Sequence, residues 1–485
     1  NKYNTQMTTQ KKIAKASENP VIAIRSLRLS TTMTHITQYV DNNIPDGDAW
    51  MDVTETALTN MTGILTDIRT HCVNGSTDTL TSDDRKTILE DLKALAEQVY
   101  AEGNADYAGK TVFTGYRTSA NLTFNHDEPH TKYQITQKLD FDDFEEKRYY
   151  TGDVHVPEAL TATTPDCTTE VSEMTYERIR LAYNGETELN NASYKLADGT
   201  EVSLINEQGQ NPNFKIYKTE EVWEADTSDK AIGKTVKDDE IVYIESSGEF
   251  ILGKNMANQL SDQRAEFTIE YTKTGFDKGE VRPEYYYDCA DISDDDPKKH
   301  VTYTKEQQEI NYTIASGSKI TINTQASDVF DTGIARDVDE LISVLERAIE
   351  AGDKVEKIKG MMKESQYEDK ESQEKLQGYL DAAQKELDYA EDNLQKTYEH
   401  SISRFDKYME QVDIAVTNVG SVKNRLQMTK TRIENQQMTL EELKSTNEDR
   451  EMSDIVIDYY AAYNAYQSSL TAAGKLGEHS LLNYI

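Results

Sequence analysis

Six apolar residues near the C-terminus repeat at every seventh position without a break. They are Phe405, Val412, Val419, Leu426, Ile433 and Leu440. A sustained seven-residue repeat is typical of a long helix that buries a narrow stripe against another helix. The matching helical pattern lies at the opposite end of the chain, beginning near Asn1. The pattern therefore predicts that the two ends pack on each other and carry everything between them as an insertion.

The N-terminal part of the chain follows the helical period. Residues 1–40 are predicted to be helical with a break at Asn19–Pro20, because proline ends one helix and can begin another. Apolar residues recur at three- and four-residue spacing over 48–73, which predicts an amphipathic helix. Thr81 or Ser82 is suited to cap the next helix.

The middle of the chain has the pattern of β-strands. Lys110–Thr118 is predicted to be a strand and turn, and short β-like runs between turn residues fill about 126–325. The helical pattern returns at Asp337 and continues to the end of the chain. We expect it to break near 351–353 and again at 446–448.

These elements predict a mainly α chain with a β-rich insert. The two termini would form a long antiparallel helical bundle, and a mostly-β domain would be inserted into it. The expected divisions are an inner helical segment at 1–40, half of the bundle with a β-hairpin at 41–125, a β-rich insert of one or two lobes at 126–327, the other half of the bundle at 328–447, and an inner helix at 448–485.

Two sets of apolar residues have different predicted roles. The first set forms the core of the bundle within one chain: Leu58, Leu65, Ile68, Phe405, Val412, Val419, Leu426 and Ile433. The second set is spread around the last helix, and a helix that is apolar on more than one face needs neighbours. Its predicted role is contact between subunits, with packing onto residues 1–35 of the same chain as the alternative: Ile455, Tyr459, Tyr463, Tyr466, Leu470, Leu476, Leu481 and Leu482.

Composition excludes several classes of protein. The formal net charge is -36, which argues against a nucleic-acid partner, because proteins that bind nucleic acids need clustered Lys and Arg. Residues 126–325 hold 41 acidic and 21 basic residues, so the middle is especially acidic. No apolar run is long enough for a membrane span, and no signal peptide is visible. Because the chain begins at Asn1 without Met, we expect its true N-terminus to be missing.

No motif for catalysis or cofactor binding stands out. The three cysteines, Cys72, Cys167 and Cys289, are far apart and suggest neither zinc nor a disulfide framework. His126 and His130 are separated by Pro129, which would break the helix that a zinc site of that spacing needs. The acidic run 291–297 lacks the glycine of a calcium loop. We therefore expect no cofactor, no metal and no enzymatic activity.

Several segments resemble the flagellin and hook-associated protein superfamily. They are Ala16–Leu29, Ile64–Gly75, Gly109–Thr118, Tyr463–Leu470 and Ser480–Tyr484. Gly109–Thr118 is most similar to the members that join the flagellar hook to the filament. The resemblance covers about 1–125 and 330–485, and the insert lies outside it. Arg69 is followed by Thr70 rather than the Glu that is typical of flagellins, so recognition by the innate immune receptor for flagellin is not expected.

The resemblance implies a structural function outside the cell. The chain would be exported unfolded through the flagellar secretion channel and would form a ring between hook and filament. Its implied partners are other copies of itself, flagellin, the neighbouring hook-associated protein and a cytoplasmic export chaperone. Two alternatives remain open: a flagellin that forms the filament itself, and an enzyme or adhesin activity displayed on the β-rich insert.

Overall fold

The computed structural model describes residues 2–76, 81–160, 164–167, 172–206, 209–226 and 234–478. The α-helices are α1 Lys2–Thr9, α2 Pro20–Gln38, α3 Ile44–Gly75, α4 Ser82–Val99, α5 Glu220–Ala225, α6 Lys254–Asp262, α7 Gly333–Met361, α8 Lys370–Glu448 and α9 Met452–Glu478. A π-helical turn, Tyr39–Asn43, connects α2 to α3. None of the described helices is long and apolar enough to cross a membrane.

The strands occupy the middle of the chain, as predicted. They are β1 Asp106–Tyr107, β2 Lys110–Thr111, β3 Glu128–Asp140, β4 Glu145–Thr151, β5 Ser172–Arg180, β6 Glu186–Lys195, β7 Glu201–Asn206, β8 Gly209–Gln210, β9 Phe214–Tyr217, β10 Ile241–Ile244, β11 Glu249–Leu252, β12 Glu266–Phe276, β13 Asp288–Asp291, β14 Val301–Tyr303, β15 Asn311–Ala315 and β16 Ser318–Thr321. The predicted fold class, long terminal helices with a β-rich insert, is confirmed.

Two larger sheets and two hairpins account for these strands. A seven-stranded sheet has the order β14-β13-β3-β12-β6-β7-β8, and a five-stranded sheet has the order β4-β5-β11-β10-β9. In the five-stranded sheet β9 and β10 are parallel, whereas β10, β11, β5 and β4 pair antiparallel. The hairpins are β1–β2 and β15–β16. Aromatic and β-branched residues dominate the buried face of these sheets, as expected for pleated surfaces that pack against a core.

The chain folds into two compact units. The terminal unit contains Asn1–Met51, Ile310–Ile322 and Gly420–Ile485, and the main unit contains Asp52–Glu309 and Asn323–Val419. The hairpin β15–β16, which the sequence placed in the 126–327 insert, therefore belongs with the terminal helices. It is held there by a hydrogen bond of 2.7 Å from Asn43 Nδ2 to the Thr313 carbonyl and by one from the Tyr312 hydroxyl to Asp46.

In the terminal unit, α2 lies antiparallel to the last part of α8. Ile36 packs with Ile433, and ten residues earlier on α2 the Ser26 hydroxyl bonds Glu448. Asn19 caps the start of α2 by accepting from Val21 N at 3.1 Å, so the predicted break at Asn19–Pro20 is confirmed. The break is wider than expected, because α1 ends at Thr9 and helix resumes only at Pro20.

In the main unit, α3, α4, α7 and α8 pack as antiparallel neighbours. Arg69 of α3 forms an ion pair with Asp406 of α8 at 2.6 Å. Lys93 of α4 pairs with Glu346 of α7 at 2.8 Å. At the other end of α4, Thr81 forms the predicted N-cap through a capping box with Asp84. These exposed pairs set the register, and the buried apolar stripes between them supply most of the stability.

The break predicted near 351–353 is wrong. Helix α7 continues from Gly333 to Met361, and the chain reverses over 362–369 before α8 begins. The reason is packing: Val355 belongs to a buried cluster that includes Leu376 and Tyr379 of α8, and Ala351, one turn earlier, is also buried. Tertiary contact here outweighs the low helix propensity of Gly352.

A network of buried charges lies where β4, β5 and β11 of the main unit meet α7 and α8. Arg178 of β5 bonds Glu249 of β11 at 2.6 Å and also pairs with Glu340 of α7. Asp337 of α7 accepts from both Arg180 and, at 2.6 Å, Arg404 of α8. Burial opposes ionisation of Glu340, but Arg178, Lys147 and Arg180 outweigh it and hold the pKa of Glu340 well below its usual value. The network therefore links sheet and helices through compensated charges.

Candidate assembly surface

The terminal unit exposes apolar residues on α2, on α9 and on the last part of α8. Val21, Ile24 and Leu27 of α2 are exposed. Five residues of α9 have exposed fractions between 48% and 65%: Ile457, Tyr460, Tyr463, Tyr466 and Leu470. Contiguous exposed apolar residues on a soluble chain mark a surface that another protein covers.

The length of α1 explains why α9 stays exposed. α1 packs on the beginning of α9 and has 8 residues, or about 12 Å of helix, whereas α9 has 27 residues, or about 40 Å. Ile455, in the first turn of α9, is fully buried, and Tyr459 one turn later is half-buried. Beyond Tyr459 the helix extends past the element that could cover it.

A short crossing between residues 10–12 and 448–450 holds α1 and α9 in place. The Lys12 amide donates to the Glu448 carbonyl at 2.7 Å, and the Arg450 amide donates to the Gln10 carbonyl at 2.8 Å. Lys11 Nζ bonds Asp449 Oδ1 at 2.6 Å and Glu448 Oε2 at 3.1 Å. The hydrogen bond from Lys11 lowers the pKa of Asp449, and the one with Asp449 raises the pKa of Lys11.

We expect this crossing to weaken in acid. A carboxyl whose pKa is depressed in the folded state contributes stability above its unfolded pKa, about 3.9 for Asp, and loses it as the pH falls through the folded value. The pair is exposed, so the effect should be small, a few-fold in the protection of the Lys12 and Arg450 amides. Hydrogen exchange corrected for intrinsic rates would measure it. Lys11→Met should remove the pH dependence, and the solvent-facing control Lys15→Met should keep it.

The structure places all eight predicted core residues inside the protein. Leu58, Leu65, Ile68, Phe405, Val412, Val419, Leu426 and Ile433 are each buried. The set divides between the units: the first six lie in the main unit, and Leu426 and Ile433 lie in the terminal unit. Leu440, the last member of the heptad, is partly buried beside Ile36 and Ile433.

The structure exposes only some of the residues that were predicted to contact other subunits. Tyr463, Tyr466 and Leu470 share one exposed face of α9, at helical spacings of three and four residues. Ile455 is buried inside the chain, so we leave it out of the assembly surface. Leu476 lies in the last turns of α9, and Leu481 and Leu482 lie outside the described residues.

Sequence reasoning missed part of the exposed apolar surface. Met428, Met438 and Leu443 of α8 lie off the heptad positions, and each is more than half exposed. Together with Ile36 and Leu440, Met428 lines an open groove between α2 and α8, with a volume of about 760 Å³. The signal that could have found them is the presence of large apolar residues between heptad positions, where a solvated helix carries polar residues.

Charge divides sharply between the two units. The terminal unit contains 14 Lys and Arg and 13 Asp and Glu, a net charge of +1. The remaining 38 Lys and Arg and 75 Asp and Glu give the main unit a net charge of -37. Because like charges repel, copies of the chain can approach each other through terminal units at little electrostatic cost, whereas main units repel one another.

The described residues offer no group of three or more His, Cys, Asp and Glu side chains that could hold a metal ion. The cysteine thiols lie apart, and burial raises the pKa of Cys72 and of Cys289 to about 12. Thiols with pKa values this high are protonated at neutral pH and are poor nucleophiles.

Comparison with known proteins agrees with this picture. Residues 1–118 match the family model of the bacterial flagellin N-terminal helical region. The N-terminal part of this chain is therefore similar to the helical region of flagellins. The resemblance predicted from the N-terminal segments is thereby confirmed for 1–118.

Two curated relatives match the same region. Flagellar hook-associated protein 3 of Escherichia coli (strain K12) is 28% identical over 118 residues, which are 24% of this chain and 37% of the relative. Flagellar hook-associated protein 3 of Salmonella typhimurium is 27% identical over 120 residues, which are 24% of this chain and 38% of the relative. The matches thus span little more than a third of the length of these relatives.

A solved structure is similar over a longer range but only loosely. The flagellar hook associated protein-3 from Legionella pneumophila aligns with 86% of this chain and 98% of its own, at 12% identity and a TM-score of 0.31. That score is too low to carry an argument. The flagellin-type assignment therefore depends on the sequence match at 1–118.

Proposed function

We propose that this chain is a structural subunit of the bacterial flagellum that assembles through its terminal unit into a ring between hook and filament. The observation that carries the proposal is the terminal unit itself, which has a net charge of +1 and leaves an apolar face on α9 uncovered. The match of 1–118 to hook-associated protein 3 supports the place in the flagellum.

Ring formation requires two different surfaces on each copy. In a closed ring of identical subunits, one patch of each copy contacts a different patch of the next copy. The exposed face of α9 is the first patch in this proposal. Exposed residues of α2 and α8 in the same unit, such as Leu27 and Met428, are available for the second. The acidic main unit would stay in solvent, where its charge keeps neighbouring copies apart.

The proposed location and partners follow from the same role. The protein would be exported to the outside of the cell, would contact flagellin on one side and a neighbouring hook-associated protein on the other, and would be held by a chaperone before export. We propose no enzymatic activity, because neither a catalytic constellation nor a metal group is present among the described residues and the matched relatives are flagellar structural proteins.

Deleting the gene and examining the cells by electron microscopy tests this role. We expect hooks without filaments and flagellin released into the medium, both restored by the intact gene. Loss of filaments without released flagellin would instead identify the chain as the flagellin, which the description of the matching family also allows. Normal filaments in the deletion strain would contradict both roles.

A further inference from the structure

A cavity in the main unit is lined by a buried arginine that has no direct ion pair among the described residues. The cavity has a volume of about 200 Å³ and lies between β4, β11 and α7. Its lining includes Arg336 and Ser343 of α7, Ser246 and Ser247 of the turn before β11, and Asn184. This feature is separate from the assembly surface of the terminal unit.

Arg336 is buried but poorly compensated. It is 8% exposed, and among the described residues its one hydrogen bond runs from Nη2 to the Ser247 carbonyl, at 2.5 Å. Its Nε is buried without an acceptor. No carboxylate of the described residues lies within 4.0 Å of its guanidinium. Burial lowers the pKa of Arg336, and the nearby Arg180 and Arg178 lower it further, against the opposing effect of Glu249 and Asp339. A buried arginine normally has hydrogen-bond acceptors for the N–H groups on each edge of its guanidinium.

The other cations around this cavity already have partners. Lys147 bonds Glu249 at 2.9 Å, and Arg347 pairs with Glu220 at 3.3 Å. Arg148 pairs with Glu173 at 2.6 Å. The acidic residues Glu249 and Glu340 are likewise taken up by Arg178. Among the cations that line the cavity, Arg336 is therefore the one without a direct ion pair among the described residues, and Glu249 and Asp339 act on it only from beyond 4.0 Å.

A second polar group in the lining also lacks a partner. The Ser247 hydroxyl is buried with no hydrogen-bond partner, although its own carbonyl accepts from Arg336. The remaining acid, Asp339, receives a hydrogen bond from Asn184, and burial raises its pKa against the opposing charge of Arg336. An unsatisfied guanidinium and an unsatisfied hydroxyl on one cavity present donors and positive charge to whatever occupies it.

We propose that this cavity binds one small oxyanion, such as phosphate, sulfate or a carboxylate, between Arg336 and Ser247. Two oxygens on one anion would accept from the guanidinium and from the serine hydroxyl, in the bidentate manner that arginine favours. The cavity is large enough for an ion of this size but has no room for a nucleotide. The bound anion would complete the charge network that holds the sheet against α7.

Titration of the full-length protein with sodium phosphate tests the proposal. We expect calorimetry to show saturable binding of one phosphate per chain and the melting temperature to rise in parallel, while sodium chloride at equal ionic strength produces neither. Sulfate and acetate in the same assay would show which oxyanion geometry fits best. No saturable binding of phosphate, sulfate or acetate at millimolar concentrations would overturn the proposal and identify a cavity that holds only water.

Matched variants localise the binding. Arg336→Gln keeps a planar donor but removes the charge, and should weaken phosphate binding about tenfold to a hundredfold. Ser247→Ala removes the second donor and should weaken it about threefold to tenfold. Arg347 lines the same cavity, but Glu220 already compensates its charge. The affinity of Arg347→Gln for phosphate should therefore stay within about threefold of that of the unmodified chain. Equal losses of phosphate affinity in Arg336→Gln and Arg347→Gln would contradict the assignment. If Arg336→Gln fails to fold, the phosphate affinity of the folded Ser247→Ala variant still tests it.

Discussion

We expect the double substitution Tyr463→Asp and Tyr466→Asp to abolish assembly of the purified protein while its fold is retained. Both side chains lie on the exposed face of α9, and Tyr463 contacts its helical neighbours Tyr459 and Gln467, so the monomer loses little. In an assembled ring each would bury a carboxylate in an apolar contact. Losing the aromatic burial and desolvating two charges would cost roughly 4 kcal/mol or more, which weakens association at least a thousandfold.

Sedimentation velocity over a range of concentrations measures this effect, with circular dichroism to confirm that the variant is folded. The matched control is Val222→Asp, which places an equally exposed apolar position of the main unit under the same change. An acidic residue near the start of α5 is also compatible with the helix dipole. Assembly that survives in the tyrosine variant, or that fails equally in the control, would show that α9 is not the assembly surface.

The second large effect is expected for Arg178→Met in the buried charge network. Methionine fills a similar volume, but it removes the buried partner that Glu249 and Glu340 share, and leaves Glu249 with Lys147 and Glu340 with Arg180. Removing one side of a buried ion pair typically costs about 3–5 kcal/mol, and the remaining partners place this variant near the lower end of that range. The urea concentration at the midpoint of the unfolding of the main unit should therefore be clearly lower in this variant. Arg148→Met, whose pairs with Glu173 and Asp392 are partly exposed, should cost less than about 1 kcal/mol.

The pH dependence of stability provides an independent check. Glu340 and Glu249 have lowered pKa values in the folded state because Arg178 and Lys147 outweigh the effect of burial. The network therefore contributes its full stability above the unfolded pKa, about 4.3 for Glu, and loses it as the pH falls through the folded values. The unmodified protein should be destabilised steeply in acid. If the free energy of unfolding of Arg178→Met falls with pH as steeply as that of the unmodified protein, the contacts of Arg178 with Glu249 and Glu340 do not control stability in acid.

Local patterns predicted the helices and strands well because their causes are local. The heptad from Phe405 to Leu440 predicted one long helix with a buried stripe, and α8 spans it without interruption. Asn19–Pro20 predicted a helix start because proline can begin a helix, and Thr81 did so because its side chain can bond the free amides of the next turn. Strands such as β10 followed from the β-branched residues of Ile241–Ile244.

Other features depend on residues that are distant in the sequence. Arg178 and Arg180 alternate with apolar residues along β5 and look like a solvated strand face; only the packing of that sheet against α7 and α8 buries them. The continuity of α7 past Gly352 likewise depends on its contact with α8.

The sequence by itself therefore determined that both ends are helical, that the middle is β-rich, and that the last helix carries more apolar surface than one short helix can cover. These properties follow from periodicity, caps and residue type, which act over a few residues. The tertiary structure decided which charges belong together, that the β15–β16 hairpin joins the terminal helices, and that nearly all of the negative charge lies in the main unit. Those outcomes depend on which distant segments meet, and no local pattern encodes that.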